Sequence, residues 1–123
     1  MEKYKYGKTR DCSWKEIWDR KAELKSEDLA ELSGYEGYIG ENQSSRDFLL
    51  GIAKNISYIL SVKNKDKVLE VGCGCGALAQ FLDCEYYGVD YSPKSVKKHK
   101  ELFPEHIVST SEANDLPFED DYF

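Results

Sequence analysis

The stretch that most constrains the fold is VLEVGCGCGALAQFL at residues 68–82, an apolar run followed directly by alternating glycines. The run KVLEV at 67–71 ends in a turn and predicts a buried strand. Gly72, Gly74 and Gly76 predict a tight loop whose backbone amides surround one point, since glycine turns sharply and has no Cβ to block a ligand. Residues 77–82 predict a helix whose N-terminus adds a partial positive charge. This order predicts a site for an anionic or polar nucleoside-type ligand at the carboxyl end of a strand.

The segment after this loop repeats the alternation of strand and helix. YYGVD at 86–90 predicts a second strand, and Ser92 with Pro93 predicts a helix start that leads to about Phe103. HIVST at 106–110 predicts a third strand. The order β–α–β–α–β with short connections predicts an α/β fold with parallel strands and right-handed crossovers.

The N-terminal half predicts helices rather than strands. Ser13 and Glu16 have the spacing of a capping box, and Trp14 and Trp18 follow at helical spacing as expected core residues. A short helix is predicted over 27–32, a Gly- and Tyr-rich loop over 33–43, and an amphipathic helix over 45–60.

Length and charge exclude several classes of protein. The 123 residues suffice for one small domain, and the formal net charge of −6 disfavours nucleic acid as a partner. The lysines at 94–100 are expected to spread around the solvent side of a helix. No apolar run reaches the ~20 residues that a membrane span needs, and the N-terminus lacks the apolar segment of a signal peptide. These features predict a cytoplasmic protein without a membrane partner.

Four cysteines raise the question of a metal or redox site. Cys12, Cys73, Cys75 and Cys84 are expected to stay reduced in the cytoplasm. A zinc site would use paired C-x2–4-C knuckles, whereas C-x-C here lies within a turn and has no second pair. We therefore predict no metal and no redox pair, and interpret Cys73 and Cys75 as small side chains that fill cramped positions.

The glycine pattern alone leaves two kinds of nucleoside site open. GCGCGA at 72–77 satisfies the dinucleotide fingerprint G-x-G-x-x-G/A, which is typical of nicotinamide or flavin oxidoreductases. It equally satisfies E-x-G-x-G-x-G, counted from Glu70. Asp90 ends the second strand, where a carboxylate can accept both hydroxyls of a ribose in either class.

A third segment, EANDLPF at 112–118, adds to the pattern. The order VLEVGCGCG, GVDYS, EANDLPF resembles the class I S-adenosylmethionine-dependent methyltransferases, especially their small-molecule branch, over roughly residues 66–123. The resemblance implies a Rossmann-like fold in which 1–65 form an N-terminal helical cap and 66–123 the cofactor-binding half of one structural domain. It also implies S-adenosylmethionine as cofactor, S-adenosylhomocysteine as product, and an oxygen or nitrogen of a small molecule as methyl acceptor.

The resemblance also assigns roles to individual residues of the loop and the strand ends. The loop with Gly72, Cys73, Gly74 and Gly76 would lie under the methionine and ribose of the cofactor. Glu70 would orient this loop and the methionine ammonium group, and Asp90 would bind the ribose.

Further along the chain, the resemblance places residues around the adenine. Tyr91 would flank the ring, Glu112 would accept from the adenine amino group, and the Ala113 amide would face the ring. The family more often has Asp at the position of Glu112. From position and aromatic content alone, Tyr38, together with Tyr35, is expected to close over the methionine end. The sequence identifies no catalytic base.

The chain departs from the family in extent. Only the first three strands of a seven-stranded sheet are recognised, which predicts a fragment truncated after the third strand. The first strand would have an open edge, so we expect a homodimer or an exchanged segment to cover it. A non-catalytic S-adenosylmethionine- or nucleoside-binding module, or an interaction module, is the alternative function; an NAD(P)-dependent oxidoreductase is a further one.

Overall fold

The structure, a computed structural model, describes residues 13–123. The predicted state of Cys12 therefore lies outside the described residues. The elements follow in the order α1 (Trp14–Ala22), α2 (Leu29–Leu32), α3 (Ser45–Leu60), β1 (Lys67–Val71), a 3-10 turn (Ala79–Phe81), β2 (Glu85–Asp90), α4 (Pro93–Leu102) and β3 (Ile107–Thr110).

The three strands form one parallel sheet in the order β1-β2-β3. Lys67 pairs with Glu85 at the start of β1, and Asp90 pairs with Thr110 at the end of β2. This arrangement confirms the predicted α/β class with parallel strands. Within residues 13–123, β1 has a strand neighbour on one side only. A second copy or an exchanged segment on its other edge stays a prediction.

Local sequence signals explain where most elements begin and end. The predicted capping box is present at α1: the Ser13 Oγ accepts from the Glu16 amide at 3.3 Å, and the Glu16 carboxylate accepts from the Ser13 amide at 2.7 Å. Ser92 caps α4 by accepting from the amide of Ser95. The predicted bounds of α3 and β1 are confirmed.

The helix predicted over 77–82 is wrong. Only a 3-10 turn forms, and Leu82 already has the extended conformation that leads into β2. The Phe81 and Leu82 amides bond to carbonyls three residues earlier, at Leu78 and Ala79. The connection between β1 and β2 is too short for the chain to complete a helix and still return to the start of β2.

The N-terminal helices pack directly on the glycine loop through small side chains. Cys73 packs with Tyr86, Val96 and Val108 between the sheet and α4. Cys75 packs with Ala22 and Leu32. Ala77 packs with Ala30 and Leu49, against which Phe48 and Phe81 also lie. These small residues let the helices approach the loop closely, and the division into 1–65 and 66–123 stays a prediction.

Two expectations about surface and core need correction. Trp14 is 51% exposed, so it is not a core residue, whereas Trp18 is partly buried. The lysines of α4 are not merely a solvated face, because Lys94 forms an ion pair with Glu23 and Lys98 donates to the carbonyls of Leu24 and Ser26. These contacts hold α4 against the segment that follows α1.

Candidate functional site

A cavity of about 240 Å³ lies at the carboxyl ends of β1 and β2. The strand ends and the loop between them supply six of the residues predicted for the site, and the N-terminal helices close the opposite wall. The predicted residues that line it are Glu70, Gly72, Cys73, Gly74, Asp90 and Tyr91. The other lining residues are Trp18, Leu32, Ser33, Tyr35, Ala77, Leu78 and Ser95.

Gly72 and Gly74 leave space in this cavity for a ligand. Both have left-handed backbone conformations, with φ of +80° and +50°, which favour glycine over any residue with a side chain. A Cβ added at either position would meet no atom within 4 Å. The two glycines thus form an open cradle that a side chain would fill.

The loop amides do not surround a ligand as the sequence suggested. The amides of Gly72 and Cys73 both donate to the carbonyl of Val89, at 2.8 and 3.0 Å. The Gly74 amide donates to Asp90 Oδ2, and the Gly76 amide donates to the carbonyl of Cys73. These donors are used inside the protein, because they tie the loop to β2. The expected helix dipole is absent as well, since only a 3-10 turn follows.

Gly76 lies on the other side of the loop, against α4, and does not line the cavity. Its φ is +94°, and an added Cβ would lie 2.9 Å from His99 Nε2 and 2.9 Å from Phe103 Cδ2. The structure therefore gives Gly76 a packing role rather than a place in the wall of the cavity.

Asp90 fixes the loop to the start of α4. Its Oδ2 accepts from the Gly74 amide at 2.9 Å and its Oδ1 accepts from the Ser92 amide at 2.9 Å. The side chain is buried, yet Asp90 lines the cavity. Each carboxylate oxygen has a second lone pair, so the group retains the capacity to accept from a ligand hydroxyl.

Glu70 is a partly buried carboxyl group on the same wall. Its Oε1 accepts from the Tyr86 hydroxyl at 2.7 Å. Burial raises the pKa of Glu70 to about 7, and the nearby Asp90 carboxylate raises it further, against the lowering effect of the Tyr86 bond. A cation in the cavity would favour the ionised form of this group.

The net character of the cavity is acidic. Of the described residues that line it, Glu70 and Asp90 are acidic and none is basic. With the loop amides already bonded, the wall presents acceptors rather than donors. Such a site suits a ligand with a positive charge and hydroxyl groups, and it suits a phosphate poorly.

The residues predicted for the adenine and methionine ends are only partly brought to this cavity. Tyr91 lines it, and burial raises the pKa of Tyr91 with further contributions from Asp90 and Glu112, which places the exposed Glu112 carboxylate near its mouth. Ala113 is exposed and lines a separate surface depression near the chain end. Tyr38 is 76% exposed and is not among the lining residues.

Trp18, Leu32 and Leu78 line the cavity although no sequence signal pointed to them. Helical spacing predicted that Trp14 and Trp18 share a face of α1, but spacing cannot show which tryptophan reaches the loop. Tyr35, predicted together with Tyr38, does line the wall, and its ring packs on Phe48 with the centroids 5.8 Å apart.

The two loop cysteines are neutral thiols. Burial raises the pKa of Cys73 to about 12 and that of Cys75 to about 11. In the part of the chain that the structure describes, no group of His, Cys, Asp or Glu is arranged to hold a metal ion. The helices of this part include none that is long and apolar enough to cross a membrane.

Comparison with known proteins identifies the fold. Residues 69–123 match the family model described as a methyltransferase domain. The crystal structure of the YcgJ protein from Bacillus subtilis superposes with a TM-score of 0.54 at 24% identity, covering 62% of this chain and 35% of that chain.

A second solved structure is coclaurine N-methyltransferase bound to N-methylheliamine and SAH, with a TM-score of 0.51 at 16% identity over 59% of this chain and 24% of that chain. No curated protein matches the sequence. The chain spans about a third of the length of YcgJ and about a quarter of that of the coclaurine enzyme.

Proposed function

Because the chain belongs, through residues 69–123, to the class I S-adenosylmethionine-dependent methyltransferases, we propose that its cavity binds S-adenosylmethionine and that the protein serves methyl transfer to an oxygen or nitrogen of a small molecule. The observation that carries this proposal is the acidic wall of the cavity, formed by Glu70 and Asp90 without a basic residue among the described lining. S-adenosylmethionine has a positive sulfonium and an ammonium group and no phosphate, so its charge complements this wall.

The open cradle and the two carboxyl groups suggest how the ligand would be held. Asp90 would accept from the ribose hydroxyls with its free lone pairs, and Glu70 would accept from the ammonium group. Gly72 and Gly74 would lie under the backbone of the ligand, where a Cβ would find open space. Cys73 would contribute to the wall between them, and Gly76 would support the loop from α4.

The adenine end would extend beyond the enclosed part of the cavity. Its volume of about 240 Å³ lies below the roughly 300–1,000 Å³ of typical ligand pockets, so a whole cofactor needs additional surface. Tyr91 lies at the mouth, and we infer that it flanks the adenine, with Glu112 and the Ala113 amide beyond it. Tyr35 is better placed than Tyr38 to cover the methionine end.

The bound cofactor supplies the activated methyl group. What the residues of this chain supply is alignment and a dry, acidic environment around the sulfonium. Trp18, Leu32 and Leu78 form the apolar part of the wall and exclude water there. The acceptor is proposed to be a small molecule that approaches from the side of the N-terminal helices.

The alternatives make different demands on the same cavity. A dinucleotide would need free amides or basic side chains for its pyrophosphate, and neither is found among the described lining. A non-catalytic binding module would use the same carboxylates and glycines, so it is separated from a methyltransferase by turnover and not by cofactor binding.

Isothermal titration with S-adenosylhomocysteine tests the proposal. Tyr91→Ala should weaken binding about tenfold, since stacking of an aromatic side chain on a base is worth about 1–3 kcal/mol. Asp90→Ala should abolish binding. Tyr58→Ala is the matched control, because Tyr58 is 86% exposed on α3 and should leave the affinity unchanged.

Two results would contradict the proposal. One is the absence of S-adenosylhomocysteine binding by a chain that circular dichroism shows to be folded. The other is stronger binding of NAD than of S-adenosylhomocysteine, which would favour the oxidoreductase interpretation of the glycine loop.

A further inference from the structure

A buried histidine pair lies directly beneath the glycine loop. His99, on the otherwise lysine-rich helix α4, is fully buried. Its Nδ1 lies 3.0 Å from the carbonyl oxygen of Gly74, and its Nε2 lies 2.8 Å from Nδ1 of His106, which precedes β3. The pair therefore joins the start of β3 to the cavity wall through α4.

The chemistry of the partners fixes where the protons lie. A carbonyl oxygen only accepts, so the Nδ1 of His99 must carry the proton and donate to Gly74. In the neutral ring, Nε2 then accepts, and it does so from the Nδ1–H of His106. Each ring thereby holds the other in one tautomer.

The Gly74 peptide is gripped at both ends. Its amide donates to Asp90 Oδ2 at 2.9 Å, and its carbonyl accepts from His99. Gly74 has a φ of +50° and lines the cavity, while Gly76 packs against His99 on the other side. The orientation of this part of the cradle thus depends on one side chain of β2 and one of α4.

Aromatic rings keep the pair in place. His106 stacks on Phe103 with ring centroids 5.0 Å apart and an interplanar angle of 16°. The ring of Tyr86 lies 5.0 Å from that of His106 and 6.1 Å from that of His99. The geometry leaves His99 little freedom to leave the Gly74 carbonyl.

We propose that His99, held in one tautomer by His106, is a positioning residue that orients the Gly74 peptide for cofactor binding. The inference rests on the proposed function, since it concerns the same cavity. His99 itself does not line the cavity, so it acts through the loop. Neither histidine was assigned a role by the sequence motifs.

The pair should make cofactor affinity depend on pH. The groups that face His99 are Asp90 and Tyr86 from β2, the Gly74 carbonyl, and His106 and Glu105 from the connection before β3. Burial lowers the pKa of His99 and of His106. A second proton on His99 would turn Nε2 into a donor facing the Nδ1–H of His106, so this bond would be lost at acid pH, below about 6.5.

Two isosteric variants separate positioning from packing. In His99→Asn the side-chain amide nitrogen replaces Nδ1 and keeps a donor for Gly74, whereas in His99→Gln the nitrogen replaces Nε2 and the donor to Gly74 is lost. Both remove the ring and should lower thermal stability by a similar amount. Titration with S-adenosylhomocysteine should give an affinity within about threefold of wild type for His99→Asn and at least about tenfold weaker for His99→Gln.

A third variant and a pH series complete the test. His106→Phe keeps the stacking on Phe103 and removes the donor to His99. It should weaken binding and alter the pH profile below about pH 6.5 relative to wild type. Glu70 titrates in every variant, so the difference between profiles, and not the wild-type profile, reports on the histidine pair.

The outcomes are distinct. Equal losses of affinity in His99→Asn and His99→Gln, or no loss in either, would overturn the positioning role. If neither variant folds, His106→Phe decides in the same way. If folded wild type fails to bind S-adenosylhomocysteine, the proposed function is refuted, and long-range ¹H–¹⁵N spectra decide the hydrogen-bond order: a proton on Nδ1 of His99 supports it and the Nε2–H tautomer overturns it.

Discussion

Replacing Glu70 by glutamine should stabilise the protein at alkaline pH. The carboxyl group of Glu70 is partly buried and its pKa is raised from 4.5 to about 7, chiefly by burial. The folded state therefore binds a proton more tightly than the unfolded state does. Its stabilising effect is complete below about pH 4.5 and is lost as the pH rises through about 7, because the folded state must then hold a buried charge.

The magnitude follows from the size of the shift. At about 1.36 kcal/mol per pKa unit, the free energy of unfolding of wild type should fall by about 2.5 kcal/mol between about pH 5 and pH 8 through this group alone. The side-chain amide that Glu70→Gln introduces does not titrate, and its carbonyl oxygen still accepts from the Tyr86 hydroxyl. The difference in stability between Glu70→Gln and wild type should thus grow by about 2.5 kcal/mol over this range.

Urea unfolding followed by circular dichroism at about pH 5, 6, 7 and 8 measures this difference. Contributions of other groups, among them the histidine pair, are common to both proteins and cancel. Glu101→Gln is a suitable control, because its side chain is 64% exposed in an i,i+4 contact with Lys97 and should show no such trend. A stability difference for Glu70→Gln that stays constant with pH would refute the account of Glu70.

The remaining predictions concern the loop and its support. Gly88→Ala would place a Cβ 2.7 Å from the Tyr86 hydroxyl and 3.0 Å from Cys73, so it should destabilise the fold by about 1–3 kcal/mol, whereas Gly51→Ala, in α3 with no neighbour within 4 Å, should stabilise it by about 0.5–1 kcal/mol. Urea titration of both variants checks this pair, and equal effects would contradict it. The raised pKa values of about 12 and about 11 keep the Cys73 and Cys75 thiols protonated at neutral pH, so a thiol reagent should modify them only in urea; peptide mapping that finds them labelled in the folded protein would contradict their burial.

Much of the architecture could be predicted because its signals are local. The alternation of strand and helix after residue 66, the capping box at Ser13 and the Ser92-Pro93 helix start depend on neighbours within a few residues, and the structure has the three strands, the capping box and the helix start. The failure at 77–82 has the opposite origin. The helical pattern is present there, but the path back to β2 limits the segment to a 3-10 turn.

The candidate site divides along the same line. Residues at strand ends, such as Glu70, Asp90 and Tyr91, could be placed at one edge of the sheet from the sequence, since parallel strands bring their carboxyl ends together. Gly72 and Gly74 could be placed with them, but their amides proved to be bonded to Val89 and Asp90. A glycine pattern indicates where the backbone turns tightly and does not indicate where its donors point.

The sequence by itself thus determined the order of elements, the parallel sheet and the edge at which the cavity lies. Only the tertiary structure decided which distant side chains complete that cavity and its support: Trp18 rather than Trp14, Tyr35 rather than Tyr38, and the pair His99 and His106 under the loop. The physical reason is range. Turn and strand preferences are set by adjacent residues, whereas the packing of α1, α2 and α4 on the loop is set by volume and hydrogen bonding between segments far apart in the chain.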